Sequence, residues 1–398
     1  MSRQLPAGPG GPGGPSAAQP WNRQRLRSNN EWLLLERLRT DGPSSRAQLA
    51  RDTGLSKPTV SAALATLEQG GLVREAGVFA PERGRTALLY EPDPTAGHVL
   101  GVDIGRGRLR VAVADLAGAL VARRDVPNLG RSADEVADAV VTAAQEATAE
   151  AGLTAERIVH AVVGTPGVWD EERRSVRYAG NLPGWGRPGL FDRIAAGLGT
   201  AVTVGNDANL AALGEYAFGA GAGGRVFVYL LVGTGLGVGV VKDGELVAGA
   251  HGAAGEIGSL PMPGQRATLE ETVCAEAVVR SARELGLAGE LTAEQVFQAA
   301  REGDPAAVEA VQGEAERLAY AVALVAAVQD PDLVVLGGGI GCSADLLLGP
   351  VERALHGLTP LRPQLVPSRL GHEAVLLGAV ATALDTARVE VFERRTAL

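Results

Sequence analysis

Three apolar runs of this 398-residue chain lead into glycines: VLGVDIG at 99–105, VFVYLLVGTGLGVGVV at 226–241 and DPDLVVLGGGIG at 330–341. Apolar runs of this length bounded by turn residues read as buried strands. Alanine-rich helical patterns such as ADEVADAVVTAAQEATAEAG separate them, and that alternation predicts an α/β architecture. The recurrence of glycine-rich strand ends at 101–107, 233–239 and 337–341 suggests a duplicated βαβ core with a cleft between its halves. Each glycine cluster alone fits a plain turn. Together they also fit backbone brought close to an anion, because glycine lets N–H groups approach a phosphate. Asp103, Gly105, Gly233, Thr234, Gly235, Gly338 and Gly339 are the nucleotide-binding candidates.

The stretch before residue 93 has another texture. Residues 1–92 carry 12 Arg and Lys against 8 Asp and Glu, whereas the whole chain has a net charge of −9, so a basic head precedes an acidic body. Such a head suits a polyanion. Residues 1–22 are mostly Gly, Pro, Ser and Ala and are expected to be disordered. In SSRAQLARDTGLSKPTVSAALATLEQGGLV, Ser45 is the expected N-cap of one helix and Gly54 the tight turn. Ser56 caps a second helix with Pro58 in its first turn and Val60, Leu64 and Leu67 at core spacing. This is a helix-turn-helix pattern over 23–92, with Leu72–Arg74 and Ala87–Tyr90 as the strands of a wing. Ser56, Lys57, Thr59 and Ser61 are placed for a DNA major groove, and Arg83 and Arg85 for phosphate or the minor groove. A small helical protein-interaction domain is the competing reading. A DNA-binding module of this type meets palindromes as a dimer, so a homodimer or homotetramer is expected.

No apolar run is long enough for a membrane helix, and MSRQLPAGPGGPGGPSAAQP has no hydrophobic core of the kind a signal peptide carries, so the chain is expected to be cytoplasmic with no membrane partner. Cys274 and Cys342 are too few for a disulfide framework and are expected to be ordinary buried thiols.

In TVGNDANLAALGEYAFGAG a strand ends at Gly205 and a helix begins near Ala208. Asp207 at that junction suits a general base acting on a sugar hydroxyl, with Asn206 binding a neighbouring hydroxyl. An N-capping aspartate fits the same residues.

The segments PGVWD, RYAGNLPGW, GNDANLAALGE, GTGLGVG, GAHGAAGEIG and VVLGGGIG together resemble the ROK family, which comprises bacterial sugar kinases and sugar-responsive repressors. The resemblance covers about residue 30 to the end. It implies a winged helix-turn-helix followed, over 97–398, by a two-lobed actin/hexokinase-like (ribonuclease H-like) domain with its cleft near 206–207 and 233–270. It also implies Asn206, Asp207, Glu256 and Glu270 as sugar ligands, Asp207 as the base wherever there is catalysis, and Gly233–Gly235 as the ATP phosphate loop.

Two departures matter. The family's zinc-binding His position holds Ser259, and its C-x-C-G-x-x-G-C loop is the cysteine-free LPMPGQRAT, with Thr268 before Leu269-Glu270. Ser259 can still offer a hydroxyl to a sugar, but zinc is predicted absent and no metal ligands are assigned. The family's D-I-G-G-T is here Asp103-Ile104-Gly105-Arg106-Gly107. Mg-ATP binding is compatible with an arginine there, while phosphoryl transfer is expected to be slow or absent. The expected function is a repressor of carbohydrate genes that binds operator DNA and a sugar or sugar phosphate, with no required cofactor. An ATP-dependent sugar kinase that keeps its DNA-binding head is the alternative.

Overall fold

The structure, a computed structural model, describes residues 23–80, 86–178 and 184–396. The expected disordered tail, Arg83 and Arg85 lie outside the described residues. The chain divides into two units, one holding the described residues up to Asp93 together with those from Phe392 onward, the other Pro94–Val391.

The first unit has helices Arg23–Asp41, Arg46–Thr53 and Lys57–Gln69, followed by strands Val73–Phe79 and Ala87–Pro92. Local chemistry sets the helix ends. The Ser45 hydroxyl accepts from the Gln48 N–H, Gly54 leaves the second helix at φ +71°, and the Ser56 hydroxyl accepts from the Thr59 N–H. Val60, Leu64 and Leu67 are buried with Leu34, Leu38, Leu49 and Tyr90, so the core face read from the spacing is the observed one. The wing strands pair antiparallel and run longer than the sequence suggested, with Ser44–Ser45 paired to the Ala87–Pro92 strand. The end of the chain belongs here rather than with the body: Trp32 meets Phe392 edge to face at 4.9 Å, and the Arg395 guanidinium donates to the Gly70 and Gly71 carbonyls.

The second unit repeats one topology. Strands His98–Ile104, Arg108–Asp115 and Leu120–Pro127 form an antiparallel meander, and Ile158–Thr165 and Ala201–Asn206 add in parallel on the other side of the first strand. The second sheet copies this order with the meander Val226–Val232, Leu236–Lys242 and Glu245–Leu246, then Leu333–Gly337 and Gln364–Pro367 in parallel. This is the duplication that the recurring glycine-rich strand ends suggested.

Between the sheets, a core containing Val99, Ala112, Leu210, Phe227, Tyr229 and Val380 joins the two lobes. Helix Asp207–Phe218 and the last helix, Ala374–Thr396, cross there backbone to backbone. A Cβ on Gly378 would lie 1.7 Å from the Leu210 carbonyl oxygen, and one on Gly214 would lie 2.3 Å from that of Ala374. That crossing fixes the helix whose first residue is Asp207.

Candidate functional site

A cleft of about 1190 Å³ opens in the second unit, and its lining brings together Asp103, Asn206, Asp207, Glu256, Glu270 and the glycine-rich turns. Each wall follows from local sequence.

The strand Ala201–Asn206 delivers Asn206 as the helix cap. Its Oδ1 accepts from the Asn209 N–H at 3.0 Å, and its Nδ2 donates to the Gly167 carbonyl at 3.1 Å. Asp207 is therefore spared capping duty, although one carboxylate oxygen accepts from the Ala208 N–H at 2.8 Å. Burial, together with the neighbouring Asp103 and Glu256 carboxylates, raises the Asp207 pKa to about 7. A carboxyl poised near neutrality can take a proton from a hydroxyl or accept its hydrogen bond. Glu256 is shifted upward too, by burial and then by Glu270.

Glu270 links the Glu256 carboxylate to the Gly233–Gly235 turn. Its carboxylate accepts from the Leu236 N–H at 3.0 Å and lies where a Cβ on Gly235 would intrude at 2.7 Å. Glycine at 235 thus makes room for the carboxylate as well as for a ligand. Thr234 is exposed at the turn tip, and Gly233 abuts Gly339 across the cleft floor. Gly338 has φ +80°, and a Cβ there would stand 2.4 Å from the Val232 carbonyl oxygen, so only glycine fits.

Ser259 is placed differently. Its hydroxyl donates to the Glu256 carbonyl at 3.0 Å, and it does not line the cleft. The loop around it is a small hairpin. Leu269 N–H bonds to the Leu260 carbonyl, Met262 N–H to that of Ala267, and Gln265 N–H to that of Met262. Thr268 caps the following helix in a reciprocal capping box with Glu271. These residues do not fit a tetrahedral zinc, because Ser259 and the loop to Thr268 offer no His, Cys or carboxylate side chain as a ligand. Among the described residues no group of three His, Cys, Asp or Glu is placed to hold a metal ion.

At the other end of the cleft the turn Gly105-Arg106-Gly107 closes the first hairpin. Asp103 is buried and bonded at 2.9 Å to Arg110, the residue directly opposite it on the next strand. Burial raises the Asp103 pKa to about 6 against the pull of Arg110. The pairing went unread in the sequence, where the alternation Arg106, Arg108, Arg110 was the available signal. Trp185 and Tyr178 also line the cleft unforeseen. Trp185 is buried, donates to the Thr165 hydroxyl at 2.7 Å and packs edge-on against Phe191. Of the two cysteines, Cys274 is buried as expected, whereas Cys342 is exposed.

In the head, Lys57 and Ser61 are exposed on the second helix of the motif, while the Ser56 hydroxyl is engaged with the Thr59 N–H and hydroxyl.

The ROK family profile matches residues 99–386, and that of the IclR helix-turn-helix domain matches 33–77. The chain belongs to the ROK family. Among its relatives, the xylose repressor of Caldicellulosiruptor bescii is 25% identical over 389 residues, covering 92% of this chain and 97% of the relative. A ROK family glucokinase from Streptomyces griseus, solved with glucose and AMPPNP, is 30% identical with a TM-score of 0.64, covering 74% of this chain and 100% of that one. A ROK family transcriptional regulator, a homologue of the E. coli Mlc protein, shares the fold at a TM-score of 0.74 and 23% identity over 93% of this chain and 99% of its own. This ROK chain therefore joins a helix-turn-helix head to a sugar-kinase-like body. No helix among the described residues is long and apolar enough to cross a membrane.

Proposed function

We propose that this ROK protein is a sugar-responsive, DNA-binding transcriptional repressor of carbohydrate genes, acting in the cytoplasm. One observation carries the reading: the xylose repressor matches head and body alike, over 97% of its own length. Lys57 and Ser61, with Thr59 and Ser56 at the helix start, face the major groove of a palindromic operator, and Arg83 and Arg85 extend the contact from the wing. The protein binds as a homodimer or homotetramer.

In the cleft, Asp207, Glu256 and Glu270 accept hydrogen bonds from sugar hydroxyls, and Asn206 lies beside them. Ser259 acts through the Glu256 backbone. Zinc has no place in this site. A sugar that prefers one lobe arrangement by 100-fold supplies about 2.7 kcal/mol toward changing DNA affinity, within the range of known site-to-site coupling.

The experiment is a thermal-shift screen against neutral monosaccharides and their phosphates, followed by DNA binding of Lys57→Ala. A stabilising sugar whose effect disappears in Glu256→Gln supports the cleft assignment. Lys57→Ala binding DNA with an unchanged salt dependence contradicts the head assignment.

The likeness to a glucokinase bound to glucose and AMPPNP, with the Asp207 pKa near 7, favours sugar phosphorylation as the second reading. ADP release above about 1 s⁻¹ that vanishes in Asp207→Asn would establish it.

A further inference from the structure

All four arginines lining the cleft are paired with carboxylates of the same chain: Arg106 with Glu276 at 3.2 Å, Arg108 with Asp125, Arg110 with Asp103 at 2.9 Å, and Arg123 with Glu373. The pairs differ in burial. Arg110 and Asp103 are 15% and 6% exposed, whereas Arg106 and Glu276 are 51% and 71% exposed.

The buried pair is fixed by strand register, since Asp103 and Arg110 are opposed residues of neighbouring antiparallel strands. Arg110 also lies 3.6 Å from Asp125. The guanidinium thus engages the one aspartate among the nucleotide-binding candidates. A divalent cation at Asp103 would have to displace a buried partner, and breaking such a pair is costly. Asp103 does not fit the role of a metal-nucleotide ligand while Arg110 holds it.

The exposed pair is different in kind. Solvent screens it, so it contributes little and exchanges readily. Glu276 lies one residue after Ala275, whose N–H bonds to the Gly233 carbonyl at 2.7 Å. Arg106 therefore already reaches to the edge of the Gly233–Gly235 turn. Gly339 stands beside that turn with no side chain to obstruct an approaching group. A phosphoryl oxygen at the turn would meet a planar, permanently charged donor that can exchange an exposed carboxylate for a phosphate.

We propose that the end of the cleft formed by Gly105–Gly107 and Gly233–Gly235 is a metal-independent phosphoryl site, in which Arg110 supplies to Asp103 the charge a divalent cation would bring and Arg106 leaves Glu276 to bind the anion. The inference rests on the cleft being the ligand site of the repressor reading and adds the phosphoryl class to its ligands. A nucleotide polyphosphate and a sugar phosphate share this chemistry.

The test is calorimetric binding of AMPPNP, and separately of glucose 6-phosphate, to the full chain in EDTA and in Mg²⁺. At least one of the two binds in EDTA as tightly as in Mg²⁺ or more tightly, because chelation by Mg²⁺ withdraws negative charge from the anion. Arg106→Ala weakens that binding by about tenfold or more, the loss expected for one charge-assisted hydrogen bond. Binding of AMPPNP alone assigns the site to nucleotides, and binding of glucose 6-phosphate alone assigns it to sugar phosphates. Failure of both to bind in EDTA, a requirement for Mg²⁺, or wild-type affinity in Arg106→Ala each overturns the proposal. Arg106 is exposed, so its substitution leaves folding intact, and a melting curve verifies this. Neutral monosaccharides run on the same samples read the sugar end separately: a chain that answers them but neither phosphate refutes this inference and leaves the repressor reading standing.

Discussion

The two ends of the cleft handle charge in opposite ways. Asp207 and Glu256 are pushed upward in pKa by burial and by neighbouring carboxylates, Asp103 and Glu256 for the first and Glu270 for the second, with no cation among the causes of either shift. The four arginines that line the cleft, by contrast, each have a carboxylate partner. Carboxylates held without a cation are a reservoir of unfavourable energy that a polyhydroxyl ligand can relieve by donating hydrogen bonds. Paired charges are already satisfied and respond only to a competitor of the same chemistry. On the proposed function, the carboxylates sense a neutral sugar and the paired arginines resist a metal.

The sharpest way to break that contrast is Arg110→Ala. It strands the Asp103 carboxylate in the interior and should destabilise the body by about 3–5 kcal/mol at pH 8, measured by urea unfolding. At pH 5 the loss shrinks, because Asp103 then protonates. An equal loss at both pH values would mean that the pair does not neutralise a buried charge.

Asp207→Asn should act in the opposite direction. The Asp207 pKa is raised from 3.8 to about 7, so the folded state holds its proton more tightly than the unfolded chain does. That contribution is fully present below pH 3.8 and is lost as pH rises through about 7. Removing the charge therefore raises stability at pH 8 by up to about 4 kcal/mol and has no effect at pH 3. The same substitution abolishes the sugar-induced thermal shift. Destabilisation at pH 8 would show that Asp207 is satisfied by partners in the folded chain.

Thr268→Ala removes the capping box that, with the Leu260–Leu269 hairpin, stands where the family's zinc loop would be, and should cost about 1 kcal/mol. Sugar affinity should fall with it, since Glu270 is two residues away, and added Zn²⁺ should restore neither. Recovery with zinc would reveal a metal site. Smallest of all, Glu276→Gln breaks an exposed pair and should change stability by less than about 1 kcal/mol, with the change disappearing in high salt.

Much of this was legible in the sequence because it rests on local chemistry. Ser45, Gly54 and Ser56 set their helix ends by short-range bonds, and the glycine-rich strand ends announced the doubled sheet. Glu256, Glu270 and Asp207 could be grouped because their motifs carry family resemblance. What escaped reading depends on register and on contacts distant in sequence. Asp103 faces Arg110 only because two strands pair in one register and not in the one shifted by a residue. Asn206 rather than Asp207 is the cap, a one-residue difference in where the helix begins. The hydrogen-bonded ladder from Leu260 to Leu269 had no signature in composition. The attachment of Phe392 and Arg395 to the head joins residues more than 300 positions apart, beyond any local pattern.

The most direct measurement of the central claim is the affinity of the full chain for a DNA site selected from a random pool, with and without the monosaccharide that stabilises the cleft. The account predicts that saturating sugar changes the dissociation constant by about tenfold or more, a coupling of about 1.4 kcal/mol, and that Glu256→Gln binds the same DNA without responding. A sugar that occupies the cleft and leaves DNA affinity unchanged would contradict it.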